Sequence, residues 1–343
     1  MNLPKATLTP AERERPTLKT LARLSGLSVP TVSRALSDAP DIKPATKTRI
    51  RALADELGYR PNRAGLRLRT GKTHVVSLVL GTDHDLMNHT ARLINAVASA
   101  LRPTAYHLTV TPYFPDEDPV DPIRRIVASE SADGVILNRI QPRDPRIDYL
   151  LARNIPFATH GRREACSTDP YFDFDNMAFG RIGCESLARR GRRNILIVAP
   201  PPTQSYSLHM LDGVRQAARA TGIVAEVLQD ADSDCPSHQI TAAITRHLHQ
   251  YPQTDGVLCA STSAAIDATV AVESQGLVLG DTVDIAAKEA IPFLRAFRRA
   301  ILVFPEDLMA AGHFLARALI NAIDASGEPA MQALDTPSQL EDI

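Results

Sequence analysis

From Thr73 onward the chain repeats one alternation, a short β-branched apolar run followed by a stretch with helical spacing. The first run, Val75-Val76-Ser77-Leu78-Val79-Leu80, has no polar alternate face, the pattern of a strand covered on both sides. Similar runs recur at His107–Val110, Gly134–Leu137, Ile155–Ala158, Ile195–Val198 and Gly256–Cys259. Between them lie helical stretches at Thr90–Leu101, Phe179–Arg190, Gln204–Thr221 and Ile240–Gln250. Strands alternating with helices predict doubly wound parallel sheets, and 343 residues suit two of them beside a smaller unit. The body is therefore expected to be a two-lobed α/β unit with a cleft.

Residues 16–61 read differently. Leu18, Leu21, Ala22 and Leu24 predict a short amphipathic helix ended by Gly26. Ser28 caps a second, with Pro30 in its first turn and Val32, Ala35 and Leu36 inward. A third starts near Pro44 and places Ile50, Leu53, Ala54 and Leu57 on one face, with Gly58 after it. Three short helices, the first two joined by a tight turn, fit a helix-turn-helix bundle. Charge separates the same segments. Residues 1–72 hold 15 basic and 6 acidic residues, a net of +9, and the rest hold 23 and 33, a net of −10. The whole-chain value of −1 is a cancellation, and the asymmetry points to a polyanion-binding head on an acidic body.

A helix-turn-helix sets the first residues of its second helix against base edges in the major groove. Here these are Val29, Pro30 and Arg34: the guanidinium suits guanine, the apolar pair thymine methyls. Thr17, Ser28, Thr31, Ser33, Thr46 and Asn62 are placed to bond phosphates. In the body, ligands of doubly wound sheets bind beyond the carboxyl ends of the strands. That rule selects Asp83, His84 and Asn88, then Asn138 and Arg139, then His160 and Arg162, then Gln204, Tyr206 and His209. With no Trp, aromatic stacking on a sugar falls to Tyr171, Phe172, Tyr206 or Phe293.

Several chemistries find no footing. Gly71-Lys72-Thr73 is not a phosphate loop, since five residues separate Gly65 from Gly71 and a strand follows. Neither Gly-x-Ser-x-Gly nor His-Glu-x-x-His occurs. Cys166, Cys184, Cys235 and Cys259 lack metal-ligand spacing, and His247 and His249 would point apart on a helix. No cofactor and no metal are expected. No run of about 18 apolar residues appears, and the polar start lacks a secretory core, so a cytoplasmic protein without a membrane partner is expected.

Thr17-Leu18-Lys19, Leu27 through Leu36, Leu57-Gly58-Tyr59-Arg60-Pro61-Asn62 and Leu68-Arg69-Thr70-Gly71-Lys72-Thr73 occur in order, and together they resemble the lactose-repressor (LacI/GalR) family of bacterial transcription regulators. Asp133–Leu137 and Asp173-Phe174-Asp175-Asn176 are similar to that family's core, so the resemblance covers nearly the whole chain. It implies an all-α helix-turn-helix head at 16–61, a hinge helix at 62–72, and a periplasmic-binding-protein-like core of two doubly wound lobes at 73–335 that binds effector and dimerises. The hinge would enter the minor groove, Gly65 against its floor and Leu68 wedged between base steps. Asp175 becomes a structural or ligand-facing residue, and the late acidic ligand residue falls at Lys288-Glu289, hence Glu289. Three positions depart from the family pattern. Met210 stands where an Arg commonly clamps ligand, Ala260-Ser261 replaces Asn-Asp, and Lys43 replaces a Ser-type cap. The expected function is a homodimeric repressor of sugar or glycoside genes, released from a palindromic double-stranded DNA operator by a small effector. An activator or corepressor-dependent regulator stays open as the alternative. A solute-binding receptor would need a signal peptide and no basic head, and an enzyme would need an acid/base constellation.

Overall fold

The computed structural model describes residues 16–59, 67, 71–82, 87–163, 168–324 and 327–338, without the side chains of 87 and 88. The chain divides into two compact units at Thr73/His74.

The first unit packs α1 (Leu18–Ser25), α2 (Val29–Leu36) and α3 (Pro44–Glu56) around Leu21, Ala22, Val32, Ala35, Ile50, Ala54 and Tyr59. Each helix contributes two of these residues, α2 and α3 at i, i+3 and i, i+4 and α1 an adjacent pair, and Tyr59 closes the cluster from beyond α3. Gly26 ends α1 in a left-handed conformation (φ 70°), and its N–H donates to the Ala22 carbonyl. A side chain there would be strained, so the tight turn into α2 rests on this glycine.

In the second unit, β1 (Val75–Gly81) pairs in parallel with β2 (His107–Tyr113) and β3 (Gly134–Leu137). β4 (Phe157–His160), β5 (Tyr171–Phe174) and β11 (Gln332–Asp335) extend that sheet, whose order is β11-β5-β4-β3-β1-β2. The second sheet, ordered β10-β9-β8-β6-β7, uses β6 (Asn194–Val198), β7 (Val224–Val227), β8 (Gly256–Cys259), β9 (Asp284–Glu289) and β10 (Leu302–Pro305). The chain passes from first lobe to second between β5 and α7 (Asn176–Arg189), and returns after β10 into α12 (Leu308–Asp324).

Alternate residues of each strand serve opposite cores. Val76, Leu78 and Leu80 pack under α12 and α4 (Met87–Leu101). Val79, Val135 and Leu137 pack against α5 (Asp121–Ala128) and α6 (Pro145–Leu151). The second sheet is likewise covered by α7 and α8 (Ser205–Thr221) on one face, and by α9 (Ser237–Gln250) and α10 (Thr262–Ser274) on the other. Burial on both faces is why β1, β3, β6 and β8 are mainly apolar, each large side chain contributing about 1.5–3 kcal/mol.

Some boundaries move. β4 begins at Phe157, because Ile155 still closes the turn after α6 by donating to Leu150 and Pro156 has no N–H for the ladder. α7 begins before Phe179, because Asp175 caps it. Among the described residues no helix is long and apolar enough to cross a membrane.

Candidate functional site

Two sites stand out, one in each unit. In the first, Thr17 caps α1 in a reciprocal box with Thr20, and Ser28 caps α2 by accepting from the Thr31 N–H at 3.3 Å. Ser28 and Thr31 also share a hydroxyl contact at 2.8 Å. Pro30 and Arg34 are exposed, Thr31, Ser33 and Thr46 half-buried. Val29 packs partly against the helical core, which removes some of the surface expected to meet bases. The Arg34 guanidinium lies 2.6 Å from Asp41, both side chains about half exposed. Lys43 stands at the N-cap of α3 and offers no side-chain cap, while its carbonyl accepts from the Thr46 N–H at 2.9 Å. Asn62, Gly65 and Leu68 lie outside the described residues.

In the second unit a cavity of about 210 Å³ opens between the lobes at the carboxyl ends of the strands. Asn138 and Arg139 enter it after β3, His160 ends β4, Asp173 and Phe174 end β5, and Tyr206 follows β6. Ser233 and Asp234 come from beyond β7, Ser261 and Ser263 after β8, Lys288 from β9, Glu306 after β10, and His89 from α4. Arg139 has φ 53°, a conformation held by the buried Arg146. Its Nη2 donates to the carbonyls of Asn138 (3.0 Å) and Arg139 (2.9 Å) while Asp144 takes Nε at 2.9 Å. Lobe-to-lobe bonds flank the cavity: Arg139 to Asp234 at 2.9 Å, Arg92 Nη1 to the Ala290 carbonyl, and the Ser205 N–H to the Ile140 carbonyl.

Charge in this wall is dense and paired. Lys288 Nζ is 3.6 Å from Glu306 and lies over the rings of Phe174 (5.2 Å) and Tyr206 (5.8 Å). Burial alone would push the Glu306 carboxyl up, but Lys288, His89 and His160 outweigh it and hold the group far below its usual range. Burial pushes His160 down to about 4, against the pull of Glu306, so its ring is neutral near pH 7. Asp173 is pushed up to about 7 by burial, which the Arg162 guanidinium at 3.2 Å only partly offsets. His89, His160 and Glu306 bring three potential metal-ligand atoms within 4.8 Å of one another, although Lys288 already answers the Glu306 charge.

Of the expected effector residues, Asn138, His160 and Tyr206 line the cavity, as do Arg139 and Asp173. Four do not. Asp175 caps α7 through Ala178 at 3.0 Å. Glu289 accepts from the Phe293 and Leu294 amides at 2.7 and 2.5 Å, holding the turn after β9. Arg162 stands behind Asp173, and His209 sits on α8 away from the wall. Phe293 stacks on Phe297 instead of facing ligand. Asp83, His84 and the Asn88 side chain lie outside the described residues. Met210 is core. His89, Asp234, Lys288 and Glu306 were missed; only the strand-end rule, applied also to β7, β9 and β10, would have found the last three.

Residues 17–62 match the family described as bacterial regulatory proteins, lacI family, and 73–311 match the periplasmic binding proteins and sugar binding domain of that family. AglR, a helix-turn-helix transcriptional regulator of Rhizobium meliloti (strain 1021), is 32% identical over 92% of this chain and 90% of its own length. Among solved structures, a CelR–cellobiose complex aligns with 95% of this chain and 99% of that one at TM-score 0.71 and 23% identity. The lac repressor dimer bound to operator and an anti-inducer aligns with 95% and 98% at TM-score 0.80 and 18% identity, a likeness of fold. A helix-turn-helix unit, two parallel-sheet lobes around a cavity and these matches give one conclusion: the chain belongs to the LacI family of DNA-binding transcriptional regulators.

Proposed function

We propose that this regulator is a homodimeric repressor that leaves a near-palindromic operator when a small polyhydroxylated effector, a sugar or glycoside, enters the interlobe cavity. The observation that carries the effector half is the composition of that cavity, hydroxyl-bonding groups from both lobes around two aromatic rings. The CelR relative whose structure holds cellobiose supports the same class of ligand. The Arg139–Asp234 pair spans the lobes, so a ligand bonding to either residue acts directly on the lobe angle. Arg34 reads a base and Thr17, Ser28, Thr31, Ser33 and Thr46 hold phosphates, while Asn62, Gly65 and Leu68 form the hinge that bends the operator. Dimerisation is supported by apolar side chains exposed on edge strands and beside them, Val110 and Phe114 at β2 and Val224 and Val227 on β7. An activator remains the second reading, since the same parts serve either sign of regulation.

The test is binding of the full-length protein to its own promoter region with a panel of neutral mono- and disaccharides. Retention of the specific fragment over scrambled DNA, and its release by one sugar, is the expected result. Equal affinity for scrambled DNA, or release by none, would sink the corresponding half.

A further inference from the structure

We infer that the cavity selects uncharged ligands over anionic ones, and that the Lys288–Glu306 pair is the selecting element, an inference that rests on the effector reading above. Both cations in the wall already face a carboxylate: Arg139 meets Asp234 at 2.9 Å and Lys288 meets Glu306 at 3.6 Å. The wall's third carboxylate, Asp173, faces Arg162 behind it at 3.2 Å. A carboxylate or phosphate entering here finds no excess positive charge, and must displace Glu306 or Asp234 from its partner. These pairs are poorly reached by water, the Glu306 side chain being only 3% exposed, so displacement leaves a buried carboxylate uncompensated.

The buried acceptor atoms point the same way. Asn138 Oδ1 is buried without a hydrogen bond, while Asp173 Oδ2, Asp234 Oδ2 and Glu306 Oε2 are buried and answered by ion pairs, to Arg162, Arg139 and Lys288. All four residues line the cavity. Carbonyl and carboxylate oxygens accept. A ligand hydroxyl donates to each of them, and an ionised acid repels three of the four. An ammonium group, for its part, meets Lys288 and Arg139.

Discrimination is then a matter of negative selection. Glu306→Gln keeps the side chain's size, removes its charge, and frees the Lys288 ammonium for a ligand carboxylate. Asp234→Asn does the same for Arg139. The two variants alter different ion pairs, so failure of one to fold leaves the other as a test.

The experiment is calorimetric titration of the full-length chain with glucose and neutral disaccharides, and with glucuronate, gluconate and glucose 6-phosphate as anionic probes. The expected result is a neutral sugar bound at least about 100-fold more tightly than every anionic probe, about 2.8 kcal/mol. In Glu306→Gln, or in Asp234→Asn, affinity for at least one carboxylate probe should rise by about tenfold or more while neutral affinity falls. Wild-type protein binding an acid or phosphate as tightly as any neutral sugar overturns the inference and leaves the effector reading standing. Folded variants that gain nothing toward acids overturn the role given to the pair. Binding of no probe of either charge removes the effector reading, and this inference with it.

Discussion

Asp173 is a carboxyl group held where ionisation is unfavourable. Its value of about 7 against an ordinary 3.8 comes first from burial, with Arg162 opposing. The sign follows from proton linkage: a group whose folded pKa is raised contributes stability at low pH that is lost as pH rises through the folded value. The native state should therefore weaken between about pH 4 and 8 through this residue. Asp173→Asn should remove that slope, melting higher than wild type at pH 8 by the equivalent of a few kcal/mol at most and close to it at pH 4. A thermal melt series across that range decides it, and identical slopes would show Asp173 ionised throughout. In the head, Arg34 is engaged by Asp41 across an exposed pair, worth about 0–1 kcal/mol. Asp41→Asn should release the guanidinium and tighten operator binding up to about fivefold in an anisotropy titration, within that energy. No change would mean that Arg34 changes partner without cost. The family resemblance made Asp175 a structural or ligand-facing residue at the cleft, and its role is the structural one. Alternation along an extended strand places Asp173 and Asp175 on one side, but the chain turns into α7 at Asp175, whose carboxylate is used to cap it. A helix start two residues earlier would have made Asp173 the cap, and that precision is not written in residue types.

Elements were legible in proportion to their burial. β1, β3, β6 and β8 sit inside their sheets, and their unbroken apolar runs announce them. β7 and β11 are four-residue edge strands, largely or partly exposed, with sequences Val-Ala-Glu-Val and Gln-Ala-Leu-Asp that no pattern distinguishes from loop. β9 reads Asp-Ile-Ala-Ala-Lys-Glu, five of six residues small or charged, although it lies inside its sheet. The helix pair α7 and α8 shows a constraint that patterns carry faintly. A Cβ added at Gly213 would lie 1.9 Å from the Met177 carbonyl oxygen, and one at Gly180 would lie 2.1 Å from that of Met210. These two backbones touch, and no side chain can yield to make room. Gly213→Ala should therefore destabilise the second unit by about 1–3 kcal/mol or more, as overpacking does, despite the better helix propensity of Ala. A denaturant midpoint unchanged or raised would show that the helices separate freely. At α3, Lys43→Ser should restore a cap and add about 1 kcal/mol to head stability. If Lys43 touches phosphate, the same variant weakens operator binding and flattens its salt slope.

At the scale of the molecule, the near-zero net charge conceals two halves with different partners. The head and following segment carry +9 and the rest −10. Operator affinity should then fall steeply with salt, because each phosphate neutralised releases counterions, while effector affinity should be nearly flat, because the cavity's pairs are buried and its ligand is uncharged. On the function proposed above, the lobe angle joins the two affinities, through contacts such as Arg139–Asp234 and Arg92 to the Ala290 carbonyl. If the effector lowers operator affinity by some factor, the operator must lower effector affinity by the same factor, since both are one coupling free energy. Arg139→Gln should shrink that factor, because it removes the charge pair through which ligand occupancy is communicated across the lobes. Four titrations close the box: operator with and without the sugar, and sugar with and without the operator. The expected outcome is a coupling of about 5–150-fold in wild type, equal by either route, and a smaller one in the variant. An undiminished coupling in a variant that still binds both partners would place the communication elsewhere between the lobes.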